Sequence, residues 1–225
     1  MNYLRLLVHL RRNPSAILLV AQLLALLLYP FFEDTDAARI ALGIFGIVVL
    51  ILTTRMVRQT PFVTWIGMGI ALPAIVLLLL QMRFAWPQLT AWSAALESLF
   101  YFYAAGSLIA YMLADRRATT DELFAAGATF TLLAWAFAYL FLMIQALQPG
   151  SFAGALRGDS PRTWTELMHL SFALLSSTGM GDVLPMSGPA RGVAAIEMFA
   201  GLVYLAAVVS RLIGLTLHGV PPDKG

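Results

Sequence analysis

The sequence predicts an all-α membrane protein with six transmembrane helices, one short re-entrant helix and a glycine-containing loop after that helix. Hydrophobic residues make up 60% of the 225 positions and charged residues only 12%, which excludes an ordinary soluble globular domain. Apolar runs of about 20 residues, long enough to cross a bilayer, recur along the chain. The predicted spans are 14–32, 37–57, 62–82, 91–114, 122–147 and 190–217.

The first half of the chain is predicted to contain an interfacial helix and four spans. Segment 1–13 alternates leucines with arginines, which is typical of a helix lying at the cytoplasmic face of the membrane. Asn13 and Pro14 then supply a capping residue and a proline at the first helical position, which together start the first span. Residues 14–118 form the first predicted membrane domain.

Basic residues are distributed unevenly over the loops, although the formal net charge is only +2. Nine of the 14 basic residues lie on one predicted side of the membrane: Arg5, Arg11, Arg12, Arg55, Arg58, Arg116, Arg117, Arg211 and Lys224. The first loop on the opposite side, 33–39, is mainly acidic. The positive-inside rule therefore predicts that both termini are cytoplasmic, in a plasma (inner) membrane. A nucleic-acid partner is not expected, because the arginines flank membrane spans instead of clustering on one element.

The fourth span, 91–114, contains no arginine or lysine, and Glu97 is its only charged residue. A voltage sensor needs several basic residues, because one unit charge moved through the field contributes only about 2.3 kcal/mol per 100 mV. Strong voltage sensing by this helix is therefore not expected, and Arg116 and Arg117 are interpreted as interfacial anchors. Glu97 either lies near the far interface, faces a water-filled crevice or pairs within the bundle.

Two runs in the second half have the spacing of a capping box. Residues 119–122, Thr-Thr-Asp-Glu, are predicted to begin the fifth span. Thr163 and Glu166 are predicted to begin a helix over 163–175, which is too short to cross the membrane and ends inside the protein.

The loop 176–182, Ser-Ser-Thr-Gly-Met-Gly-Asp, follows that short helix directly. Gly179 and Gly181 allow backbone dihedrals that side chains normally forbid, so successive carbonyls can point the same way and replace the water shell of a cation. The short helix aims its carbonyl end, about half a negative charge, toward the same place. Irregular backbone is tolerated at membrane depth only where it is buried by the rest of the protein or lines a water-filled cavity. The loop therefore indicates a cation pore. No internal repeat is apparent, so such a pore needs several copies of the chain.

The short helix, the run 177–182, Pro185 and a final span with a glycine near its middle resemble the pore module of potassium channels. That family's usual filter reads Thr-Val-Gly-Tyr-Gly-Asp, whereas this chain has Ser-Thr-Gly-Met-Gly-Asp. With four preceding spans, the chain resembles six-span, voltage-gated-like potassium channels of prokaryotes, but without their arginine ladder. The pore resemblance covers residues 119–217, and the first four spans match only in number and topology.

The resemblance implies roles for individual residues. Backbone carbonyls of the filter would bind K⁺, and no other ion or cofactor is expected. The filter residues are Ser177, Thr178, Gly179, Met180 and Gly181. Gly201 falls where the family has its inner-helix hinge, although a glycine there also permits close packing against a neighbouring helix. The implied cavity-lining residues are Leu202, Leu205 and Val209. Glu197, one turn before Gly201, needs a partner if it is buried behind the filter.

The filter departs from the family pattern at Met180, where the family has an aromatic residue braced through its hydroxyl to aromatics of the short helix. The corresponding helix positions are His169 and Leu170, so both sides of that brace are missing together. A flexible thioether fills space but forms no directional bond that would hold the filter in place. This predicts weaker selectivity or easier collapse of the filter. We hypothesise a hydrogen bond between His169 and Asp182, dependent on protonation because imidazole titrates near neutrality. The alternative is that His169 packs at a subunit boundary.

The predicted function is passive conduction of potassium ions by a homotetramer in the lipid bilayer, without classical voltage gating or enzymatic activity. A non-selective monovalent-cation channel is the alternative within the same class. An intramembrane serine protease needs a serine and a histidine base at membrane depth, and no Gly-x-Ser-x-Gly elbow occurs in the sequence. A transporter needs repeated halves or paired broken helices. The sequence has a single interruption of that kind, which does not favour a transporter. The predicted pore domain covers 119–218, and we expect no regulatory domain in the short cytoplasmic tail, 219–225.

Overall fold

A computed structural model describes residues 14–31, 87–114, 120–154, 160–179 and 181–218, together with 67, 69–70, 72–74, 76–77 and 80. Its elements in chain order are α1 (Pro14–Leu28) with a 3-10 turn at Tyr29–Phe31, α2 (Pro87–Ala114), α3 (Thr120–Leu147), β1 (Phe152–Gly154), α4 (Trp164–Leu175), β2 (Val183–Pro185) and α5 (Gly188–His218). This part of the chain is helical apart from one two-stranded sheet, in agreement with the all-α prediction.

Four helices among the described residues are long and apolar enough to cross a membrane. Their apolar segments are Pro14–Phe31, Leu89–Leu113, Thr120–Leu147 and Gly188–Arg211, which correspond to the first, fourth, fifth and sixth predicted spans. The predicted interfacial helix 1–13, the second span 37–57 and the tail 219–225 lie outside the described residues. The third span, 62–82, is described only in short pieces between 67 and 80, and each of these is helical.

α2 and α3 make the most extensive helix–helix contact of the described part, because their facing positions are small enough to let the backbones approach. The fully buried alanines of α2 and α3 are Ala94, Ala104, Ala105, Ala125, Ala128, Ala134, Ala136 and Ala138. Aromatic rings fill the adjoining space: Tyr101 stacks on Tyr139 with 5.5 Å between ring centroids, and Trp164 lies 4.2 Å from Tyr139. Glu97 is hydrogen-bonded to Tyr139. Of the three environments left open for Glu97, pairing within the bundle is therefore the one observed.

α1 packs against α3, and the carboxylate of Asp121 binds the first turn of α1. Asp121 Oδ1 accepts a hydrogen bond from the Ser15 backbone N–H at 3.0 Å, and Oδ2 accepts one from the Ser15 hydroxyl at 2.8 Å. The Tyr111 hydroxyl also donates to Oδ2, at 3.2 Å. A carboxylate is favourable here because the first N–H groups of a helix lack intrahelical partners and the dipole is positive at that end. Asp121 thus stabilises the first turn of α1, a different helix from the one that contains it.

β1 and β2 connect the segment after α3 to the segment after loop 176–182. The strands are antiparallel, with Phe152 opposite Pro185, Ala153 opposite Leu184 and Gly154 opposite Val183. One buried cluster joins the sheet to α3, α4 and α5, and its members are Phe141, Ile144, Phe152, Leu167, Leu170, Val183, Ala190 and Ala194. Because α4 also packs against both α3 and α5, the loop 176–182 is anchored on either side.

Candidate functional site

The N-terminal end of α4 is fixed by the capping box that the sequence predicts. The Thr163 hydroxyl accepts a hydrogen bond from the Glu166 N–H at 3.3 Å, and the Glu166 carboxylate accepts one from the Thr163 N–H at 2.7 Å. Two N–H groups without helical partners are satisfied in this way. The predicted capping box at Thr163 is therefore confirmed, and the helix begins one residue later, at Trp164.

The C-terminal end of α4 is closed by hydrogen bonds from the loop that follows it. The Ser177 N–H donates to the Leu174 carbonyl and the Thr178 N–H donates to the Ala173 carbonyl, both at 3.0 Å. This is a Schellman motif, in which the residue after the C-cap is left-handed. That residue is Ser177, with a φ of 58° in the region that favours glycine. The motif sets the direction in which the loop leaves the helix.

Two loop amides point back to one helix carbonyl, which fixes the direction of the carbonyls beside them. The N–H groups of Thr178 and Gly179 both donate to the Ala173 carbonyl, at 3.0 and 3.3 Å. In a trans peptide each carbonyl points opposite to the N–H of the next residue, and the described chain contains no cis peptide bond. The carbonyls of Ser177 and Thr178 are therefore directed away from α4. Gly179 follows with a left-handed φ of 66°.

The loop side chains that could compete with these carbonyls are turned toward α4. The Ser176 hydroxyl donates to the Phe172 carbonyl at 2.6 Å, and the Thr178 hydroxyl donates to the Ala173 carbonyl at 3.3 Å. Thr178 and Gly179 themselves are exposed in the single chain. The loop thus presents backbone oxygen on its open side. Met180, which is central to the predicted filter, lies outside the described residues.

Asp182 anchors the other end of the loop and lies next to His169. Asp182 Oδ1 accepts a hydrogen bond from the Val183 N–H at 3.0 Å, and Oδ2 lies 3.1 Å from His169 Nδ1. His169 Nδ1 and Asp182 Oδ2 are at ion-pair distance, but they do not form an aligned N–H···O hydrogen bond. The structure thus brings together the two residues that the sequence hypothesis joined. Dependence on protonation stays a prediction.

Leu170, the second residue considered as a support for the filter, is buried in the cluster that contains Phe141 and Val183. Only 2% of its surface is exposed. Because Val183 directly follows Asp182, Leu170 supports the segment after the loop through apolar packing. A support of this kind carries no directional bond, in contrast to the hydroxyl brace of the resembled family.

Gly201 lies in close contact with the last residue of α4. A Cβ atom added at Gly201 would lie 1.9 Å from the Leu175 carbonyl oxygen, so no side chain fits without a shift of α5. Of the two interpretations that the sequence left open, close packing against a neighbouring helix is the one that the structure shows. A hinge at Gly201 stays a prediction.

The predicted cavity-lining residues lie on the open face of α5. Leu202, Leu205 and Val209 are 58%, 38% and 53% exposed in the single chain. The neighbouring Gly201 and Tyr204 are buried against the rest of the protein. Buried and exposed positions thus alternate with the helical repeat, and the exposed face is free to meet other copies, lipid or water.

A family model described as "Ion channel" matches residues 99–217, which is more than half of the chain. The chain belongs to this ion-channel family. The matched region runs from the middle of α2 through α5, so it contains the whole loop and both of its anchors. No curated protein and no solved structure matches the chain. The protein is therefore a membrane protein that conducts ions passively, and the family match favours a channel over an enzyme.

Backbone oxygens of the loop are the candidate ion-binding groups among the described residues. Within the described ranges, no three His, Cys, Asp or Glu side chains lie close enough together to hold a metal ion. The carbonyls of Ser177 and Thr178 have the chemistry that a dehydrated monovalent cation requires, because carbonyl dipoles can replace its water shell.

Sequence reasoning missed Ser171, which is the partner of Glu197. The Ser171 hydroxyl is hydrogen-bonded to Glu197 Oε1, and both residues are fully buried. A signal was present in the sequence: Leu167, Ser171 and Leu175 recur every four residues, so they share one face of the short helix. A serine between two leucines of a buried face needs a hydrogen-bond partner.

Proposed function

We propose that the protein is a potassium channel that binds K⁺ through the backbone carbonyls of Ser177, Thr178, Gly179, Met180 and Gly181. Four copies of the chain would surround one axis, each contributing one loop. The protein would lie in a plasma (inner) membrane with both termini in the cytoplasm, as the distribution of basic residues favours.

The observation that carries this proposal is the direction of the loop backbone. Since the amides of Thr178 and Gly179 are bonded to the Ala173 carbonyl, the carbonyls of Ser177 and Thr178 have their open side away from α4. Ser177 and Gly179 are left-handed, and backbone that alternates between the two hands gathers successive N–H groups on one side. The trans peptide then leaves the carbonyl oxygens directed to the opposite side. An oxygen ladder of this kind replaces the hydration shell of an ion.

Two features support a tetramer that lacks classical voltage gating. The exposed face of α5, with Leu202, Leu205 and Val209, is apolar, as the wall of an inner cavity between copies would be. The helix in the position of a voltage sensor, α2, contains no arginine or lysine and packs along α3. Without basic residues it has no gating charge to move through the membrane field.

Bi-ionic reversal potentials of the reconstituted protein, with potassium against sodium, test the proposal directly. We expect a clear preference for potassium in the wild type. Equal permeabilities would overturn potassium selectivity and support the non-selective monovalent-cation channel, which the apolar support at Leu170 favours. Absence of any cation flux from vesicles that contain folded protein would overturn the conduction proposal itself.

Gly179→Ala locates the conduction path, and Gly150→Ala is its matched control. Both glycines have a left-handed φ, 66° and 81°, and neither has an atom within 4 Å of an added Cβ. The two substitutions therefore impose the same kind of backbone strain, of about 1–2 kcal/mol. We expect loss of potassium flux only in Gly179→Ala. Equal effects of the two variants would contradict the assignment of the loop.

A further inference from the structure

Ser171 and Glu197 join three helices in the interior of the channel. Both residues have no exposed surface. The Ser171 hydroxyl oxygen lies 2.7 Å from the Ala134 carbonyl oxygen of α3, and it is also hydrogen-bonded to Glu197 Oε1 of α5. One hydroxyl of α4 thus connects the helix before it with the helix after it.

The number of protons at this junction determines the form of the carboxyl group. Ser171 has one hydroxyl proton, and the Ala134 carbonyl can only accept. If Glu197 were a carboxylate, the Ser171 hydroxyl would have one proton for two acceptors, the Ala134 carbonyl and the Glu197 carboxylate. One of these two oxygen–oxygen contacts would then lack a hydrogen atom between its oxygens. Both contacts become hydrogen bonds when Glu197 is a carboxylic acid that donates to Ser171, and Ser171 donates to Ala134.

The charges around Glu197 agree with this proton count. Among the described side chains of α5 and of the helices packed against it, the charged and titratable groups have other partners. Asp121 is bonded to Ser15, Glu122 to Arg211, Tyr139 to Glu97, Glu166 to Thr163, Arg191 to the Pro185 carbonyl and Tyr204 to the Ala126 carbonyl, and His169 lies at ion-pair distance from Asp182. No ion pair among the described residues includes Glu197, and its Oε2 is buried without a hydrogen-bond partner. An uncompensated carboxylate is far more costly to bury than a neutral acid.

The junction also sets the register of α5 against α4. Glu197 contacts Ser171, and four residues later Gly201 contacts Leu175, four residues after Ser171. Contacts with the same spacing on both helices lie one helical turn apart. The second contact is at the last residue of α4, directly before the conducting loop.

We infer that Glu197 is a positioning residue of the channel, acting as a neutral proton donor to Ser171 and thereby holding α4 and its loop in register with α5. The inference rests on the proposed role of the loop in conduction. Whether Glu197 is protonated, in contrast, is a property of the folded protein and does not depend on conduction. The two parts can therefore be measured separately.

Infrared difference spectroscopy of the full-length protein in lipid tests the donor state. The spectrum of wild type minus Glu197→Gln at neutral pH should contain the carbonyl stretch of one protonated carboxylic acid. Subtraction removes the signal of Glu97, which both proteins retain. A difference spectrum that contains only carboxylate bands would overturn the inference, whether or not the protein conducts.

Cation flux tests the positioning role, with Ser98→Ala as a matched control for Ser171→Ala. The Ser98 hydroxyl donates to the Ala136 carbonyl at 2.8 Å, so each substitution removes one buried serine–carbonyl bond to α3. Only Ser171 lies on α4. We expect Ser171→Ala to lower the potassium-to-sodium permeability ratio by about tenfold, the equivalent of one buried hydrogen bond, and Ser98→Ala to leave it unchanged. Equal ratios in the two variants would refute the positioning role.

A conservative variant keeps the test interpretable if Ser171→Ala does not assemble. Glu197→Gln retains an N–H donor for Ser171 and should conserve the permeability ratio, whereas Glu197→Ala removes the donor and should lower it. Identical ratios in these two variants would contradict the role of the donor. If the wild type is unselective, the same comparisons are made on total cation flux, so failure of the potassium proposal and failure of the inference give different results.

Discussion

Gly201 shows how one missing side chain determines the distance between two helices. Its backbone lies against the Leu175 carbonyl, and an added Cβ would come within 1.9 Å of that oxygen. The obstacle is backbone and not the flexible end of a side chain, so it cannot move aside without moving α4 or α5. Since Leu175 directly precedes loop 176–182, a shift at this contact reaches the loop.

The variant Gly201→Ala should therefore be strongly destabilised. Overpacking of a tight contact typically costs about 1–3 kcal/mol, and we expect a lower midpoint of thermal unfolding together with loss of cation flux. Gly192→Ala on the same helix is the control, because an added Cβ there meets no atom within 4 Å and alanine is favoured over glycine in a helix by up to about 1 kcal/mol. Unchanged stability of Gly201→Ala would show that the two helices separate freely at this point.

Residue contacts of this kind are only partly predictable from sequence. Proximity of His169 to Asp182 could be inferred, because both flank a loop of known length after a short helix. The pairing of Ser171 with Glu197 could not, because it depends on which face of α5 meets α4. The left-handed conformation of Ser177 was also missed, since the closure of α4 imposes it on a residue type that rarely adopts it.

At the scale of elements, α4 is the one whose two ends are both determined by nearby residues. Thr163 and Glu166 cap its start, and amides of the loop close its end. We expect Thr163→Ala to lose about 1 kcal/mol of stability, the usual value of an N-cap, while Thr163→Ser retains the hydroxyl and the stability. Thermal unfolding in detergent measures both variants. Equal losses would indicate that the methyl group of Thr163, and not its hydroxyl, is what matters.

Elements with local signals were predicted well, and the others were not. The bounds of α4 and the order of α3, α4 and α5 follow from capping residues, apolar periodicity and hydrophobic length. The pairing of β1 with β2 has no such signal, because each strand has three residues and its partner lies beyond α4. Asp121 likewise stands at the start of α3 in the sequence but binds the start of α1, a contact that exists only once the helices are packed.

At the scale of the whole molecule, the first and last parts of the chain share a hydrophobic core. One buried cluster contains Leu18 of α1, Tyr101 of α2, Trp135 of α3 and Trp164 of α4. Direct packing therefore connects α1 and α2 to α4, the helix that precedes loop 176–182. α2 itself contains no arginine or lysine, so its described contacts with this core are those of apolar and aromatic side chains.

At the same scale, an ion pair joins α5 to the start of α3, two helices that lie far apart in the sequence. Arg211 of α5 lies 3.4 Å from the Glu122 carboxylate of α3, and the side chains are 23% and 5% exposed. We expect Arg211→Gln to lower the free energy of unfolding by about 1–3 kcal/mol, the range for bonds to charged groups, and the double variant with Glu122→Gln to lose less than the sum of the single losses. Arg191→Gln is the control, because among the described residues its exposed side chain bonds to the Pro185 carbonyl alone and its loss should change stability by less than about 0.5 kcal/mol. Chemical denaturation of all four variants measures the coupling, and strictly additive losses would show that the pair does not connect the two helices energetically.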